Sequence, residues 1–283
     1  MGTVHPGPTA PRGSTQVVGV IGDPVRHSRS PAIHNAAFAE LGLDFVYVAF
    51  PVAAGRAAAA LDAVRTLGLA GLNVTMPHKE GAAAACDELT PGAAVLRSVN
   101  TVVHRDGRLL GDSTDGPGLV AALREHGVEP TGRRALVLGA GGAARAIVDA
   151  LGRSGAVVTV AARRPEAGAA AAKLAPDARA VAFADLDAVV PTVDVVVNAT
   201  PIGMQGEPPP FDPTVLTATQ FVYDTVYHPV RTPLLAAAEA RGIPHAGGLS
   251  MLVHQAALAF THWTGRDAPL AVMAAAARTG LDP

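Results

Sequence analysis

The feature that most constrains the fold is a glycine-rich turn between an apolar segment, residues 134–138, and a helical segment, residues 143–152. Residues 139–144 read Gly-Ala-Gly-Gly-Ala-Ala and fit the pattern G-x-G-x-x-A of a dinucleotide-binding turn. The first glycine permits a tight turn, and the second lets backbone N–H groups approach a pyrophosphate at the helix N-terminus. The pattern predicts a Rossmann unit; a glycine turn without a ligand is the alternative. The expected cofactor-binding residues of the turn are Gly139, Ala140, Gly141, Gly142 and Ala143.

The end of the next strand indicates which dinucleotide is bound. A site for NAD places a carboxylate there for the ribose hydroxyls, whereas a site for NADP places an arginine for the 2′-phosphate. After the predicted strand 156–161, the chain has Arg163 and Arg164 and no acid before Glu166. Because a guanidinium binds phosphate through two hydrogen bonds, these arginines favour NADP(H) as the cofactor. The alternative is that both are solvated surface residues.

Strands and helices alternate along most of the chain, which predicts an α/β fold. In the N-terminal part, apolar runs predict strands at 16–22, 45–50 and 69–74 and helices at 30–41, 53–67 and 77–87. Asp106-Gly107 between two short apolar runs, 99–103 and 108–110, predicts a β-hairpin. Later segments predict a helix at 117–126, strands at 193–198 and 220–225, and terminal helices at 249–264 and 270–279.

A polar turn within residues 71–80 ends the third predicted strand and leads into a helix expected to begin near Pro77. Asn73 and Thr75 lie two residues apart on an extended segment, so both side chains face the same side and are able to bind one ligand. Lys79 falls in the first helical turn, where the helix dipole disfavours a positive charge, and such a position suits a residue that exchanges protons. The alternative is an ordinary surface lysine beside a turn.

Composition excludes several classes of protein. The chain has 283 residues, enough for two domains, with a formal net charge of −2 that gives no reason to expect nucleic acid or a membrane as partner. Residues 1–15 lack the apolar core of a signal peptide, and we expect them to form a disordered leader. The single cysteine, Cys86, fits a reducing compartment and predicts a cytoplasmic protein. The ten histidines lack the spacing of a metal site.

Eight short motifs make the chain resemble the shikimate dehydrogenase family over nearly its whole length after the leader. In chain order they are Ser28-Arg29-Ser30-Pro31, Asn73-Val74-Thr75-Met76-Pro77-His78-Lys79, Val99-Asn100-Thr101, Gly111-Asp112-Ser113-Thr114-Asp115-Gly116, Gly139-Ala140-Gly141-Gly142-Ala143, Asn198-Ala199-Thr200-Pro201, Val226-Tyr227-His228-Pro229 and Met251-Leu252-Val253-His254-Gln255. The resemblance implies an N-terminal α/β substrate domain with a mainly parallel sheet, residues 16–115, completed by C-terminal helices in residues 248–283. It also implies an inserted Rossmann domain for NADP, residues 116–247, with the active site in the cleft between the domains.

The resemblance also implies roles for individual residues. Lys79 and Asp115 are expected to form the catalytic pair. The substrate carboxylate is expected to bind Ser28 and Ser30, and the ring hydroxyls are expected to bind Asn73, Thr75, Asn100 and Gln255, with Tyr227 nearby. Further cofactor-binding residues are expected at Asn198, Ala199, Thr200, Met204 and Gly248. The implied activity is the NADPH-dependent, reversible reduction of 3-dehydroshikimate to shikimate in chorismate and aromatic amino acid biosynthesis, by a monomer or homodimer.

Three sites depart from the residues that are usual in the family, and two of them, Ser113 and Ser250, leave the substrate preference open. Ser113 stands where Asn is usual, Ser250 stands where Gly or Pro is common, and Ala162-Arg163-Arg164 replaces Asn-Arg-Thr but keeps its arginine. The alternative functions are a quinate or aminoshikimate dehydrogenase of the same family and a non-catalytic NADP-binding regulator on the same scaffold. Two site residues have structural alternatives as well, because Ser30 and Asp115 precede prolines at expected helix starts and are suited to capping.

Overall fold

The structure, a computed structural model, describes residues 10–280, which fall into two compact units. The first unit runs to Thr114 and resumes from Val253 to Thr279, and the second runs from Asp115 to Leu252. Residues 1–9 of the expected leader lie outside the described part. Within the expected leader, the hydroxyls of Ser14 and Thr15 donate hydrogen bonds to the Asp44 carboxylate at 2.7 and 2.6 Å.

A six-stranded sheet forms the centre of the first unit. Its strands are β1 (Gln16–Gly22), β2 (Phe45–Pro51), β3 (Gly71–Val74), β4 (Glu88–Leu89), β5 (Thr101–Arg105) and β6 (Arg108–Asp112), in the spatial order β2-β1-β3-β5-β6-β4. β1 pairs in parallel with both neighbours, whereas β5 runs antiparallel to β3 and to β6. The β5–β6 pair is the predicted hairpin. β1 is buried from Val18 to Gly22, which explains its nearly unbroken apolar sequence.

The helix that carries Lys79 begins later than the sequence predicts. The helices before the hairpin are α1 (Ser30–Glu40), α2 (Ala57–Leu67), α3 (Lys79–Ala85) and α4 (Pro91–Leu96). The sequence places Pro77 at the first helical position, but residues 75–78 form a tight turn in which the His78 N–H donates to the Thr75 carbonyl at 3.0 Å. The Met76–Pro77 peptide within this turn is cis. His78 therefore becomes the N-cap, and Lys79 is the first residue of α3.

The second unit is built on a fully parallel sheet. Its strands are β7 (Arg134–Leu138), β8 (Val157–Ala162), β9 (Arg179–Ala182), β10 (Val195–Asn198), β11 (Phe221–Asp224) and β12 (His245–Gly247), in the order β12-β11-β10-β7-β8-β9. All neighbouring strands pair in parallel. Along β7, Ala135 and Val137 belong to one buried cluster, and Leu136 and Leu138 belong to another. Both faces of β7 are therefore covered, which explains why residues 135–138 are all apolar.

Within the described residues, five helices accompany this sheet, and two further helices follow it. The five are α5 (Asp115–Glu125), α6 (Gly142–Arg153), α7 (Pro165–Ala172), α8 (Leu186–Val189) and α9 (Pro233–Ala240), and the last two are α10 (Leu249–Thr264) and α11 (Leu270–Arg278). The boundary between the units falls within α10, after Leu252. Among residues 10–280, no helix combines the length and the apolar character needed to cross a bilayer.

Candidate active site and cofactor pocket

A cavity of about 670 Å³ lies in the second unit at the carboxyl ends of β7, β8 and β10. Its position follows from the strand order, because β8 and β10 flank β7 on opposite sides, and parallel sheets bind ligands at such a switch point. The lining residues are Gly139, Ala140, Gly141, Ala162, Arg163, Arg164, Ala167, Phe183, Ala199, Thr200, Pro201, Ile202 and Glu207. The structure thus brings together these predicted cofactor-binding residues: Gly139, Ala140, Gly141, Arg163, Arg164, Ala199 and Thr200.

Two glycines shape the wall of this cavity in different ways. Gly139 has a φ of +113°, and a Cβ atom added to it would lie 2.9 Å from the carbonyl oxygen of Ala199, so the turn requires glycine there. Gly141 is the N-cap of α6 with an ordinary extended backbone, and an added Cβ atom would meet no other described residue within 4 Å beyond its chain neighbours. The space beside Gly141 is therefore open, and the first N–H groups of α6 suit a pyrophosphate placed there.

The charged side chains around the cavity fit NADP(H). Arg163 and Arg164 directly follow β8 and are both exposed, and the lining residues at this strand end include no acid. The acid among the lining residues is Glu207, whose carboxylate accepts hydrogen bonds from the N–H groups of Gly203 and Gln205, each at 3.0 Å. Backbone hydrogen bonds, from its own N–H and from these two residues, lower the pKa of Glu207. The two arginines therefore face no competing carboxylate among the lining residues of the strand end and suit a 2′-phosphate.

Five predicted cofactor-binding residues do not line the cavity: Gly142, Ala143, Asn198, Met204 and Gly248. Asn198 is buried and shapes the cavity through the following turn, because its Oδ1 accepts hydrogen bonds from the Thr200 N–H and hydroxyl at 3.1 and 2.7 Å. Its Nδ2 donates to the Asp224 carboxylate at 2.9 Å. Burial raises the pKa of Asp224, against hydrogen bonds from Thr232, Val226 and Asn198. Gly248 is a packing residue, since an added Cβ atom would overlap the Thr225 carbonyl.

Sequence reasoning missed six lining residues: Ala162, Ala167, Phe183, Pro201, Ile202 and Glu207. Three of them lie in the segment 201–207, shortly after β10 ends. The rule that ligands bind beyond the carboxyl ends of parallel strands could have identified this segment. Phe183 follows β9, a strand that the apolar pattern did not reveal, so no sequence feature pointed to it.

In the first unit, hydrogen bonds connect three predicted substrate-binding residues. Asn73 lies in β3, Asn100 immediately precedes β5, and Gln255 lies in α10. The Nδ2 of Asn73 donates to the Asn100 carbonyl at 3.1 Å, and the Nδ2 of Asn100 lies 3.4 Å from the Oε1 of Gln255. All three residues are buried. Hydrogen bonds to Asn100 therefore connect the strand β3 and the helix α10.

Asn100 also fixes the segment that leads to Asp115. Its Oδ1 accepts a hydrogen bond from the Thr114 N–H at 2.7 Å, and its Nδ2 donates to the Thr114 hydroxyl at 2.9 Å. Thr101 joins the same network, because its hydroxyl accepts from the Nδ2 of Asn73 at 3.1 Å. Sequence reasoning missed Thr101 and Thr114 as network members, although both lie beside predicted site residues.

The loop that carries Ser28 and Ser30 differs from its predicted geometry. The sequence predicts Ser30 as the cap of α1, but Arg29 is the N-cap, and Ser30 is the first helical residue. The Ser28 hydroxyl accepts a hydrogen bond from the N–H of Ser30, the first residue of α1, at 3.3 Å. Arg29 donates to the carbonyl oxygens of Ala276 and Ala277 at 3.4 and 3.3 Å, which attaches this loop to the end of α11.

The predicted catalytic residues both stand at helix starts. Lys79 is the first residue of α3 and is half-buried, and its carbonyl accepts the Val99 N–H at 3.0 Å. Asp115 is the first residue of α5, two residues before the predicted helix start at Pro117, and is buried; its place in the first turn complements the helix dipole. Thr75 is half-buried after β3. Tyr227 is half-buried after β11 in the second unit.

The serines that depart from the family pattern lie near contacts made by the two ends of α10. Near one end of α10, the Ser250 hydroxyl lies 2.9 Å from the Tyr223 hydroxyl. Toward the other end, the His262 Nε2 lies 2.8 Å from the Asp112 carboxylate, which also accepts the Ser113 N–H at 2.8 Å. Burial raises the pKa of Asp112, but hydrogen bonds from His262, Thr90 and the Ser113 N–H outweigh it, so its pKa is lowered.

Comparison with known families agrees with this arrangement. Residues 20–102 match the family model described as the shikimate dehydrogenase substrate binding domain. Residues 122–203 match the model described as shikimate / quinate 5-dehydrogenase, and residues 248–278 match the shikimate 5′-dehydrogenase C-terminal domain.

Individual relatives are similar over nearly the whole chain. The shikimate dehydrogenase (NADP(+)) of Moorella thermoacetica is 45% identical over 272 residues, covering 93% of this chain and 92% of the relative. The crystal structure of the Thermus thermophilus shikimate 5-dehydrogenase with NADP(H) and shikimate has a TM-score of 0.86 and 38% identity, covering 93% of this chain and 99% of that one. A quinate dehydrogenase from Corynebacterium glutamicum in complex with NAD has a TM-score of 0.86 and 33% identity, covering 93% and 98%. The predicted α/β fold and the predicted resemblance are thereby confirmed: the chain belongs to the shikimate dehydrogenase family of NADP-dependent oxidoreductases.

Proposed function

We propose that Lys79 and Asp115 are the catalytic residues with which this enzyme interconverts 3-dehydroshikimate and shikimate, using NADP(H), in the biosynthesis of chorismate and the aromatic amino acids. The observation that carries this assignment is the network around Asn100. Through its carbonyl Asn100 holds Asn73, six residues before Lys79, and through its side chain it holds Thr114, directly before Asp115. A network of buried polar groups that precedes both residues suits a site that must orient a polyhydroxylated acid.

The chemistry requires one proton for each hydride. NADPH, when bound, supplies the hydride to the carbonyl carbon of 3-dehydroshikimate. As the carbonyl oxygen becomes negative, the Lys79 ammonium stabilises it and donates a proton to form the hydroxyl. Lys79 is then neutral and takes up a proton from water, and in the reverse direction it accepts the hydroxyl proton. We assign to Asp115 the role of orienting Lys79 for this exchange.

Substrate recognition is assigned to small polar side chains. Ser28 and Ser30 bind the carboxylate, and the ring hydroxyls bind Asn73, Thr75, Asn100, Gln255 and Tyr227. A site built from such groups rejects analogues that lack a matching hydroxyl, because its own buried polar atoms would lose their partners. We assign substrate binding to residues 16–115 with 248–283 and NADP binding to residues 116–247. The single cysteine supports a cytoplasmic enzyme, and we expect a monomer or homodimer, which sedimentation analysis would distinguish.

The test is a comparison of initial rates of cofactor reduction with shikimate and with quinate, each with NADP⁺ and with NAD⁺. Fast turnover with shikimate and NADP⁺ alone supports the proposed function and the assignment of Arg163 and Arg164 to the 2′-phosphate. Comparable rates with quinate or with NAD⁺ would replace it by a quinate/shikimate dehydrogenase of broad specificity. NADP⁺ binding without turnover of either substrate would favour the aminoshikimate enzyme or the non-catalytic regulator, and assay with aminoshikimate separates these two.

A further inference from the structure

We propose that Tyr47 and His34 are positioning residues that hold the Asn73 carboxamide with only its oxygen available to the substrate. The inference rests on the proposed function and deepens it, because it states what Asn73 recognises. An oxygen that faces the ligand accepts a hydrogen bond, so Asn73 would select a hydroxyl group of the substrate. Neither Tyr47 nor His34 belongs to the motifs that pointed to the site.

The two protons of the Asn73 carboxamide are already used inside the first unit. Its Nδ2 donates to the Asn100 carbonyl and to the Thr101 hydroxyl, both at 3.1 Å. Because a backbone carbonyl only accepts, the nitrogen must face Asn100, which fixes the orientation of the amide. Asn73 is 6% exposed, so no third direction is open to its nitrogen. The group left for a ligand is therefore the oxygen.

Tyr47 fixes that oxygen from the other side. Its hydroxyl donates to the Asn73 Oδ1 at 2.8 Å, and its side chain is buried in β2. Burial raises the pKa of Tyr47 above its ordinary value, against the effect of the Ser30 side chain, so the hydroxyl keeps its proton and remains a donor. An amide oxygen has two lone pairs, and Tyr47 uses one of them. The second lone pair stays available, because neither ring nitrogen of the neighbouring His34 has a hydrogen-bond partner in the structure.

His34 forms the wall against which the Tyr47 ring lies. The two rings stack with centroids 4.5 Å apart and planes 7° apart, and the Trp263 ring packs against His34 at 5.2 Å. Burial lowers the pKa of His34 to about 3, which outweighs the opposite effect of the Asn73 side chain, so the His34 ring is neutral near pH 7. A neutral, fully buried ring restricts the Tyr47 side chain without competing for its hydroxyl. The stack therefore holds the hydroxyl at Asn73.

This arrangement limits which part of the substrate Asn73 contacts. A ketone oxygen accepts and does not donate, so it would meet the Asn73 oxygen without a proton between them. The reacting carbon carries a ketone in one direction of the reaction and a hydroxyl in the other. Asn73 is therefore suited to a hydroxyl that is present in both substrate and product, away from the reacting carbon.

The first test is the variant Tyr47→Phe, which keeps the stacked ring and removes the hydroxyl. Losing one neutral hydrogen bond that holds Asn73 should raise the KM for shikimate by about 3- to 10-fold. The kcat and the KM for NADP⁺ should change less than about twofold, because no reacting group is touched. The matched control is Phe260→Leu, which shrinks a buried ring of the same aromatic cluster that stacks on Phe38 and not on Tyr47 or His34. It should lower the Tm and leave the KM for shikimate unchanged.

A second pair of variants tests His34. His34→Phe retains a flat ring and should resemble the wild type in KM, whereas His34→Ala opens a gap beside Tyr47 and should resemble Tyr47→Phe. A set of shikimate analogues, each lacking one ring hydroxyl, tests whether the effect passes through Asn73. For one analogue, Tyr47→Phe should leave the inhibition constant unchanged, because the hydroxyl that Asn73 accepts is already absent.

The outcomes separate this inference from the proposed function. If the wild-type enzyme turns over shikimate but Tyr47→Phe has the wild-type KM, the positioning role is overturned and the function stands. The same conclusion follows if Tyr47→Phe and Phe260→Leu raise the KM alike, or if Tyr47→Phe weakens the binding of every analogue equally. If the wild-type enzyme neither binds nor oxidises shikimate, the proposed function fails and this inference fails with it.

Discussion

The first unit holds three of its candidate substrate-binding residues, Asn73, Asn100 and Gln255, in a buried hydrogen-bond network, whereas the second surrounds its cavity mostly with backbone and small residues. In the first unit, the Asn100 Oδ1 accepts the Thr114 N–H at 2.7 Å, and the Asn73 carboxamide has all its protons occupied. In the second unit, a Cβ atom added to Gly141 would meet no described residue within 4 Å beyond its chain neighbours. Hydrogen bonds between protein groups thus hold the candidate substrate site of the first unit in place without a ligand. The candidate cofactor site of the second unit instead depends on open space beside its backbone.

This difference determines how each site should respond to substitution. A buried hydrogen-bonded group that loses its partner carries a desolvation cost, so changes in the first unit affect recognition and stability together. A backbone site depends on main-chain conformation and on the absence of side chains, so most substitutions around it leave the turn intact. The two units therefore offer variants in which chemistry, binding and stability are separable.

Replacing Lys79 by alanine should give the largest effect, because it removes the proposed proton donor. We expect kcat to fall by about 10²- to 10⁴-fold. The Kd for NADP⁺ should stay unchanged, because the residues lining the cavity all belong to the second unit. The measurements are steady-state rates and calorimetric titration with NADP⁺.

Lys173 provides the matched control for this variant. It is the other lysine of the sequence and lies exposed at the end of α7. Lys173→Ala should leave kcat unchanged. Turnover of Lys79→Ala at the wild-type rate would remove Lys79 from the mechanism and with it the chemical role assigned to the first unit.

Acid should destabilise the first unit through His34. Burial lowers the pKa of His34 from an ordinary value of 6.5 to about 3, so below pH 6.5 the unfolded chain takes up a proton that the folded unit does not. The contribution of His34 to the unfolding free energy is fully present above pH 6.5. It decreases as the pH falls toward 3, by at most about 1.4 kcal/mol per pH unit. Trp263 is the single tryptophan of the sequence and packs on His34, so its fluorescence reports unfolding of this unit in urea.

The variant His34→Phe tests this assignment, since phenylalanine keeps the stacked ring but does not titrate. Its unfolding free energy should fall less steeply than that of the wild type between about pH 6.5 and pH 4. Parallel pH dependence in the two proteins would mean that another group controls the acid sensitivity of the first unit.

Two glycine variants should separate the fold of the second unit from its binding site. Gly139→Ala forces a residue with a side chain into a φ of +113° and should cost about 1–3 kcal/mol of stability along with NADP⁺ affinity. Gly141→Ala meets no steric obstacle in the turn and should change stability by less than about 0.5 kcal/mol. It should nevertheless weaken NADP⁺ binding about tenfold, since its methyl group fills space beside the pyrophosphate. Unfolding curves and calorimetric titration would show both effects, and unchanged affinity in Gly141→Ala would exclude this turn from the binding site.

The same contrast explains how much of the fold was predictable. The strand, turn and helix from Arg134 to Arg153 were predicted because a backbone requirement leaves glycines at fixed spacing. The helices α7 and α9 were missed, because alanine on several faces hides the apolar stripe that identifies a helix. The start of α3 was misplaced because proline fits both a tight turn and a first helical position.

The candidate sites were predictable to different degrees for a related reason. Gly139 and Gly141 were found from local spacing. Tyr47 and Thr101 were missed because their roles depend on which strands pair and in what register. Asn73 of β3 lies opposite Thr101 of β5, and Tyr47 of β2 reaches it from the other side of β1. The spacing of residues along the sequence does not reveal which strands pair or in what register, and only the folded sheet shows both.

The smallest expected effect concerns a part of the second unit remote from its cavity, where a pair of charged side chains contributes to the contact between neighbouring strands. Asp194 precedes β10 and accepts hydrogen bonds from the Arg134 N–H at 2.8 Å and from its guanidinium at 2.7 Å. The Arg134 side chain and N–H lower the pKa of Asp194 from 3.8 to about 2.

Because the Arg134 side chain is 57% exposed, solvent screens the pair, and Asp194→Asn should cost only about 1 kcal/mol of unfolding free energy at neutral pH. A lowered pKa places this stability above pH 3.8 and removes it as the pH falls through about 2, so the difference between variant and wild type should shrink over that window. Hydrogen exchange of the β7 and β10 amides measures this stability difference in the second unit itself, whereas Trp263 fluorescence reports on the first unit. A difference that persists at the acid end would mean that Asp194 acts through its shape and not its charge, and the second unit would then depend on side-chain geometry in the way the first unit does.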